Sequence, residues 1–146
     1  MPKEIGMKLL TVKNWMKDLV IFVDPDALVT EGLALMRHRY TNSIIVNKSP
    51  TNPEYGIVTS IDICDKIVAR EQNPAKIKIR DIMVSPVITV PASMDLRACA
   101  AKMKELRVHH LPVADEEGRI IGMISATDFL VVAEGMGTNF EERSLK

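Results

Sequence analysis

The chain has no excess of charge of either sign: nineteen Lys and Arg balance nineteen Asp and Glu across 146 residues. No global field draws it toward nucleic acid or an anionic membrane surface, so any anion it binds is held locally. Nor is there an uninterrupted apolar stretch near the ~20 residues that a membrane-spanning helix requires, which argues against membrane insertion. The opening residues MPKEIGMKLL lack the charged region, apolar run and cleavage site of a secretory signal, and the expected compartment is the cytoplasm. Cysteine is scarce. Cys64 and Cys99 each fall within an apolar helical pattern and are expected to be small buried hydrophobes rather than reactive or disulfide-bonded thiols. There is no Walker loop, no motif-supported Ser/His/Asp or Cys/His arrangement and no cysteine metal cluster, so catalysis is not expected. Adjacent His109 and His110 point to opposite faces if they lie on a strand, and so do not share a metal.

What is present is a core and a repeat. Hydrophobic residues make up 47% of the chain, enough for one compact domain or two interlocked halves. Aligned with itself, the sequence places Asn14-Trp15-Met16 against Asp81-Ile82-Met83, Val23 against Val90, Met36 against Met103 and Val46 against Val113, at an offset of 67. The offset becomes 66 at Gly56-Ile57-Val58-Thr59-Ser60-Ile61-Asp62, which matches Gly122-Met123-Ile124-Ser125-Ala126-Thr127-Asp128. The one-residue change falls in the 48–53 loop, where a surface turn accommodates it.

Each copy reads as βαββα. Short strands at 20–23 and 87–90 lead into turns with helix-start chemistry, Asp24 before Pro25 and Ser93 with Asp95. Amphipathic helices follow, with Leu96, Cys99, Ala100, Met103 and Leu106 at helical spacing in the second copy and Leu28, Leu35 and Met36 in the first. Strand pairs are expected at 43–46 with 57–59 and at 110–113 with 120–125, the latter joined by a tight turn at 115–118. Final helices are expected at 61–70 and 127–134. The domain reading is a first repeat over 10–71, a second over 77–133 and a polar tail over 134–146. Two such α/β (α+β) units, each with only one well-covered sheet face, are expected to pack sheet to sheet about a pseudo-twofold axis, creating two related clefts.

The chemistry-bearing pattern is Gly, two apolar residues, Ser or Thr, two residues, Asp, once per copy. A hydroxyl residue at a strand-to-helix turn leaves backbone N–H groups facing outward with the helix dipole behind them, which suits phosphate. A carboxylate one turn on is a pure acceptor able to take both hydroxyls of a ribose. The same Ser/Thr-x-x-Asp spacing is also that of a capping box, in which the acid only satisfies the helix start. Both readings stay open on the residues alone.

Over Leu10 to Val132 the sequence resembles the CBS domain family, named for cystathionine beta-synthase, whose members occur in tandem pairs called Bateman modules. Gly56, Thr59 and Asp62, and Gly122, Ser125 and Asp128, fit the family's nucleotide motif, and His110-Leu111-Pro112-Val113 is similar to its frequent Leu-Pro-Val strand. The resemblance implies one cleft around Asp128, with Met123 and Ser125 joined by Thr11, Met16, Thr41, Asn42 and Ser43. It implies a second around Asp62, with Ile57 and Thr59 joined by Lys78, Met83, Val108, His109 and His110. Methionine and apolar side chains would flank an adenine ring, although Met16 and Met83 fit ordinary core packing equally well. Lys78, His109 and His110 would give the Asp62 cleft the greater preference for phosphate, whereas the alternation of Lys76, Lys78 and Arg80 with isoleucines also fits the solvent face of an extended edge. Ile61 and Thr127 stand where many family members carry a basic residue, which leaves the choice among AMP, ADP, ATP and S-adenosylmethionine open.

The implied function is a non-catalytic energy- or metabolite-sensing module, a homodimer with no catalytic cofactor, whose adenosine-containing ligand alters a target enzyme or transporter in trans. A structural dimerisation module without a ligand is the first alternative. A nucleic-acid-binding module using residues 76–80 is the second.

Overall fold

The computed structural model describes residues 10–145. Residues 1–9, on which the expectation of no secretory signal rests, lie outside the described residues, as does Lys146. The chain divides into two compact units, one formed by Val20–Val87 and the other by the chain up to Leu19 together with Ile88 onward. These units cut the chain differently from the sequence repeats. Residues 10–19, which open the first repeat, belong to the unit of the second, and residues 77–87, which open the second repeat, belong to the unit of the first.

In the first-copy unit the order is β1 (Phe22–Val23), α2 (Val29–His38), β2 (Ser43–Val46), β3 (Gly56–Thr59) and α3 (Ser60–Ile63), α1 (Val12–Trp15) lying earlier in the chain and in the other unit. The sheet order is β1-β2-β3, with β1 parallel and β3 antiparallel to the central strand. A central strand covered on both faces has no solvent side, which is why Ser43-Ile44-Ile45-Val46 is buried at every position. The second-copy unit repeats the plan with β4 (Val90–Pro91), α4 (Leu96–Leu106), β5 (His110–Ala114), β6 (Ile120–Ser125) and α5 (Asp128–Leu145), in sheet order β4-β5-β6. The βαββα expectation holds in both copies. The first strand of each is shorter than expected, because β1 and β4 are edge strands that pair with their neighbour over two residues only.

Each unit has its own core. Val29, Ile44, Val46, Val58, Ile67 and Ile79 form one, and Val12, Leu96, Cys99, Leu111, Val113 and Ile124 the other. The lead-in segments are bolted to these cores. Ile79, in a short 3-10 turn over Ile79–Asp81, is fully buried in the first-copy unit, and Val12 is fully buried in the other. The expected extended edge at 76–80 is therefore a single bridge, Leu28 to Lys78, followed by that turn. Alternation with isoleucine reflects the insertion of Ile79 into the core rather than a strand.

The helix starts differ from one another. Asp95 caps α4 by accepting from the Arg97 amide at 2.7 Å. Asp24 does not cap α2: it closes a turn on the Asp26 amide, and α2 begins only at Val29. There the free amides of Val29 and Thr30 donate to the carbonyls of Ile77 and Pro74, so the lead-in segment does the capping. Asp95→Ala is accordingly expected to destabilise the protein by about 1 kcal/mol, with Asp24→Ala milder, as read from urea midpoints.

The final helix of the first copy is not continuous over 61–70. After α3 the backbone widens into a π-helical turn over Cys64–Val68. Asp62 and Ile67 are buried along this segment while Cys64 turns outward, so Cys64 is exposed and the expectation of a buried thiol fails there. Cys99 is buried, and burial pushes its thiol up from the ordinary value. In the second copy α5 runs through the stretch expected as a polar tail, to Leu145. Among the described residues no helix is long and apolar enough to cross a membrane.

Candidate functional site

Each motif lies where an inner strand hands over to a helix. In the second-copy unit, the Ser125 amide donates to Asp128 Oδ2 at 2.8 Å and the Ser125 hydroxyl to the same oxygen at 3.2 Å. Ser125 Oγ also lies 2.8 Å from Thr127 Oγ1. In the first-copy unit, Thr59 N and Oγ1 lie 2.9 and 3.3 Å from Asp62 Oδ2. The capping reading is thus realised in both copies, but it uses one carboxylate oxygen of two.

The second oxygen distinguishes the copies. Asp62 Oδ1 pairs with Lys66 Nζ at 3.0 Å, and the same ammonium donates to the Ile82 carbonyl at 2.7 Å. Asp128 Oδ1 has Lys17 Nζ at 3.8 Å, on a side chain that is 70% exposed. The Asp128 side chain is itself only 12% exposed, but a pair at that distance with so exposed a lysine contributes little and is readily exchanged for another donor. The sequence reading missed both lysines. For Lys66 the signal was present, since Asp62 and Lys66 stand at the i,i+4 spacing of a helical acid–base pair.

The motif glycines have a packing cause. Lys17 and Met123 exchange backbone hydrogen bonds at 2.8 and 2.9 Å, laying the lead-in segment along β6, and Ile57 and Val84 do the same along β3. A Cβ at Gly122 would sit 2.6 Å from Met16 Sδ and 3.0 Å from the Lys17 carbonyl oxygen, and one at Gly56 would sit 2.7 Å from Met83 Sδ. Met16 and Met83 both pack against the core of their own unit.

The residues assigned to the Asp128 cleft fall into two groups. Met123, Ser125 and Met16 come together in the second-copy unit, where Thr11 bridges instead to Asp95 and accepts from Asn14. Thr41, Asn42 and Ser43 belong to the first-copy unit: Ser43 pairs with Thr59, and the Asn42 carbonyl accepts from Ser60 N at 3.0 Å. Of the Asp62 set, Ile57, Thr59 and Met83 are brought together in the first-copy unit. Lys78 belongs to it as well but is turned toward Asp26, 4.0 Å away. Arg80 is engaged by Asp26 and by Thr51 Oγ1. Val108, His109 and His110 belong to the second-copy unit, where His110 pairs with Ser125 and the His109 carbonyl accepts from Ala126 N at 2.8 Å. Burial holds the His110 imidazole below its ordinary value, with His109 and Lys17 pushing the same way and Asp128 opposing. That direction favours the uncharged imidazole.

In the same unit Met103, Val108, Ala126 and Phe129 floor a cavity of about 380 Å³ rimmed by Lys104, Arg107 and His109. Among the described residues no three His, Cys, Asp or Glu side chains are grouped to hold a metal.

Comparison with known proteins follows the same two copies. A family profile described as "CBS domain" matches residues 12–69 and 79–135. An uncharacterized protein of Methanopyrus kandleri is 29% identical over 140 residues, covering 96% of this chain and 71% of that protein. A hexameric CBS-CP12 protein from bloom-forming cyanobacteria has a TM-score of 0.78 at 26% identity, covering 84% of this chain and 71% of the other. The CBS domain pair of an MJ0100 protein, solved in complex with 5′-methylthioadenosine and S-adenosyl-L-methionine, has a TM-score of 0.72 at 23% identity, covering 84% and 98%.

Proposed function

Since the chain belongs to the CBS domain family, with both of its repeats matched, we propose that it is a non-catalytic regulatory module that binds an adenosine-containing ligand through Asp128 and acts on a partner protein in trans. The observation that carries this reading is the Asp128 carboxylate. One oxygen holds the strand-to-helix turn together, and the other, among the described residues, has a long pairing with a mostly exposed lysine. A ribose diol needs just such an acceptor. The adenosine compounds bound by the MJ0100 pair support the ligand class.

Within that class, the burial that disfavours a charged His110 and the exposure of Lys17 favour S-adenosylmethionine or AMP over ADP and ATP, because little fixed positive charge stands by to offset extra phosphates. The exposed apolar side chains Leu130 and Val131 on α5, and Ile61 and Val68 in the other unit, support self-association as a homodimer. The cytoplasm remains the proposed compartment. A role in binding nucleic acid through residues 76–80 is disfavoured by the engagement of Arg80 with Asp26 and Thr51.

Thermal unfolding against AMP, ADP, ATP, S-adenosylmethionine, 5′-methylthioadenosine and GTP tests the reading. A ligand at ~100 times its dissociation constant contributes about 2.7 kcal/mol of stability, which raises Tm by several degrees. Asp128→Ala is expected to abolish that rise while lowering the unliganded Tm only modestly. If no adenosine compound shifts Tm at millimolar concentration, the ligand-free dimerisation module takes its place.

A further inference from the structure

The two copies were expected to carry two related ligand sites, yet they treat their motif carboxylates differently. At Asp62 both oxygens are engaged: Oδ2 by the Thr59 amide and hydroxyl, Oδ1 by the Lys66 ammonium at 3.0 Å. The pair is shielded, with side-chain exposures of 10% for Asp62 and 28% for Lys66. Lys66 is also fixed at its other contact, donating to the Ile82 carbonyl. The π-helical turn Cys64–Val68 contains Lys66. In the second copy the equivalent position is Val132, a buried member of the apolar core without charge.

We infer that Lys66 takes the Asp62 carboxylate out of use as a ligand acceptor, so that this chain carries one adenosine site, at Asp128, and a structural ion pair in its place at Asp62. The location of the one site rests on the function proposed above; the closing of Asp62 does not. A diol reaching Asp62 Oδ1 has to displace a partly buried ammonium and leave its charge, among the described residues, to the Ile82 carbonyl, a cost of the kind that breaking a shielded pair carries. At Asp128 the diol displaces Lys17, which returns to water. Lys66 is thereby a specificity-determining residue that acts through Asp62 rather than by touching a ligand.

Two measurements on the full chain separate the possibilities. In a double-mutant cycle by urea unfolding, Lys66→Gln keeps a donor for the Ile82 carbonyl and removes the charge, while Asp62→Asn removes the opposite charge. The cycle is expected to show coupling, each substitution mattering less in the presence of the other. Additive effects overturn the closure of Asp62. In equilibrium dialysis with labelled S-adenosylmethionine and AMP, the wild type is expected to bind one molecule per chain. Asp62→Asn retains it, Asp128→Asn weakens it by about tenfold or more, and Lys66→Gln opens a second, weaker site. Two sites in the wild type, or loss of binding in Asp62→Asn, overturn the inference. Coupling without any adenosine binding defeats the proposed function alone and leaves Lys66 as the structural partner of Asp62.

Discussion

Ile79→Ala is expected to cost about 3–4 kcal/mol, the largest effect of any single truncation proposed for this protein. Ile79 is fully buried, and its Cδ1 fills the space that a Cβ on Gly32 would otherwise contest, at 2.7 Å. Its amide donates to the Ala27 carbonyl at 2.9 Å, so the 3-10 turn is held by backbone as well as side chain, and the site has little freedom to collapse around a cavity. The loss reaches further than the core. The turn delivers the Ile82 carbonyl to Lys66 and Met83 to the strand that ends at Thr59, so Ile79→Ala also loosens the lysine that pairs with Asp62. Ile79→Val, which removes one methyl(ene) group, is expected to cost about 1 kcal/mol. Urea unfolding of the two variants checks the ratio. A cost for Ile79→Ala near that of Ile79→Val would mean that the turn is not anchored by this side chain.

Gly122→Ala is expected to destabilise by about 2–3 kcal/mol and Gly56→Ala by about 1 kcal/mol, although the two glycines hold the same motif position. At Gly56 the new methyl meets the thioether of Met83 and the side chain of Val46, and a methionine end swings away at small cost. At Gly122 it meets Met16 and also the Lys17 carbonyl oxygen, which belongs to the reciprocal backbone pair with Met123 and cannot move without breaking it. Met16→Ala carries its own packing cost, and that cost should be smaller on Gly122→Ala, where it relieves part of the clash, than on Gly56→Ala, where it relieves none. Equal costs at the two glycines would show that the Lys17 backbone yields. The motif glycine is thus explained by a strand laid alongside it, with no appeal to a ligand.

Much of this was legible in the sequence because it is local. The β-rich runs over 43–46 and 120–125 identified strands whose bounds match, and the two offsets identified the copies and the motif residues. Asp95 read correctly as a cap because its own side chain does the work, whereas Asp24 did not, because carbonyls of residues 74–77 cap α2 from far along the chain. Cys64 was misplaced because a helical period of 3.6 was applied across a turn that is wider than α-helical. The lysine partners of the two carboxylates were missed for different reasons. Lys66 stood at a recognisable spacing, but Lys17 comes to Asp128 only because its segment pairs with β6. Which sheet each lead-in segment joins was not readable. Asn14-Trp15-Met16 and Asp81-Ile82-Met83 are too alike for either to declare a destination.

The division of the chain into Val20–Val87 and the two stretches flanking it also sets an order of events during synthesis. The first-copy unit is complete as soon as residue 87 has left the ribosome, with every core position it needs already made. The other unit is not. Val12, fully buried when folded, emerges ahead of the whole first-copy unit and waits until its partners as far as Val132 have followed. At the usual pace of about 5–20 residues per second that wait is on the order of ten seconds. Once residue 87 is out, that segment stands in front of a finished unit whose β3 already has its own lead-in strand paired along it. From that point on, the occupied edge leaves the waiting segment no open place along β3.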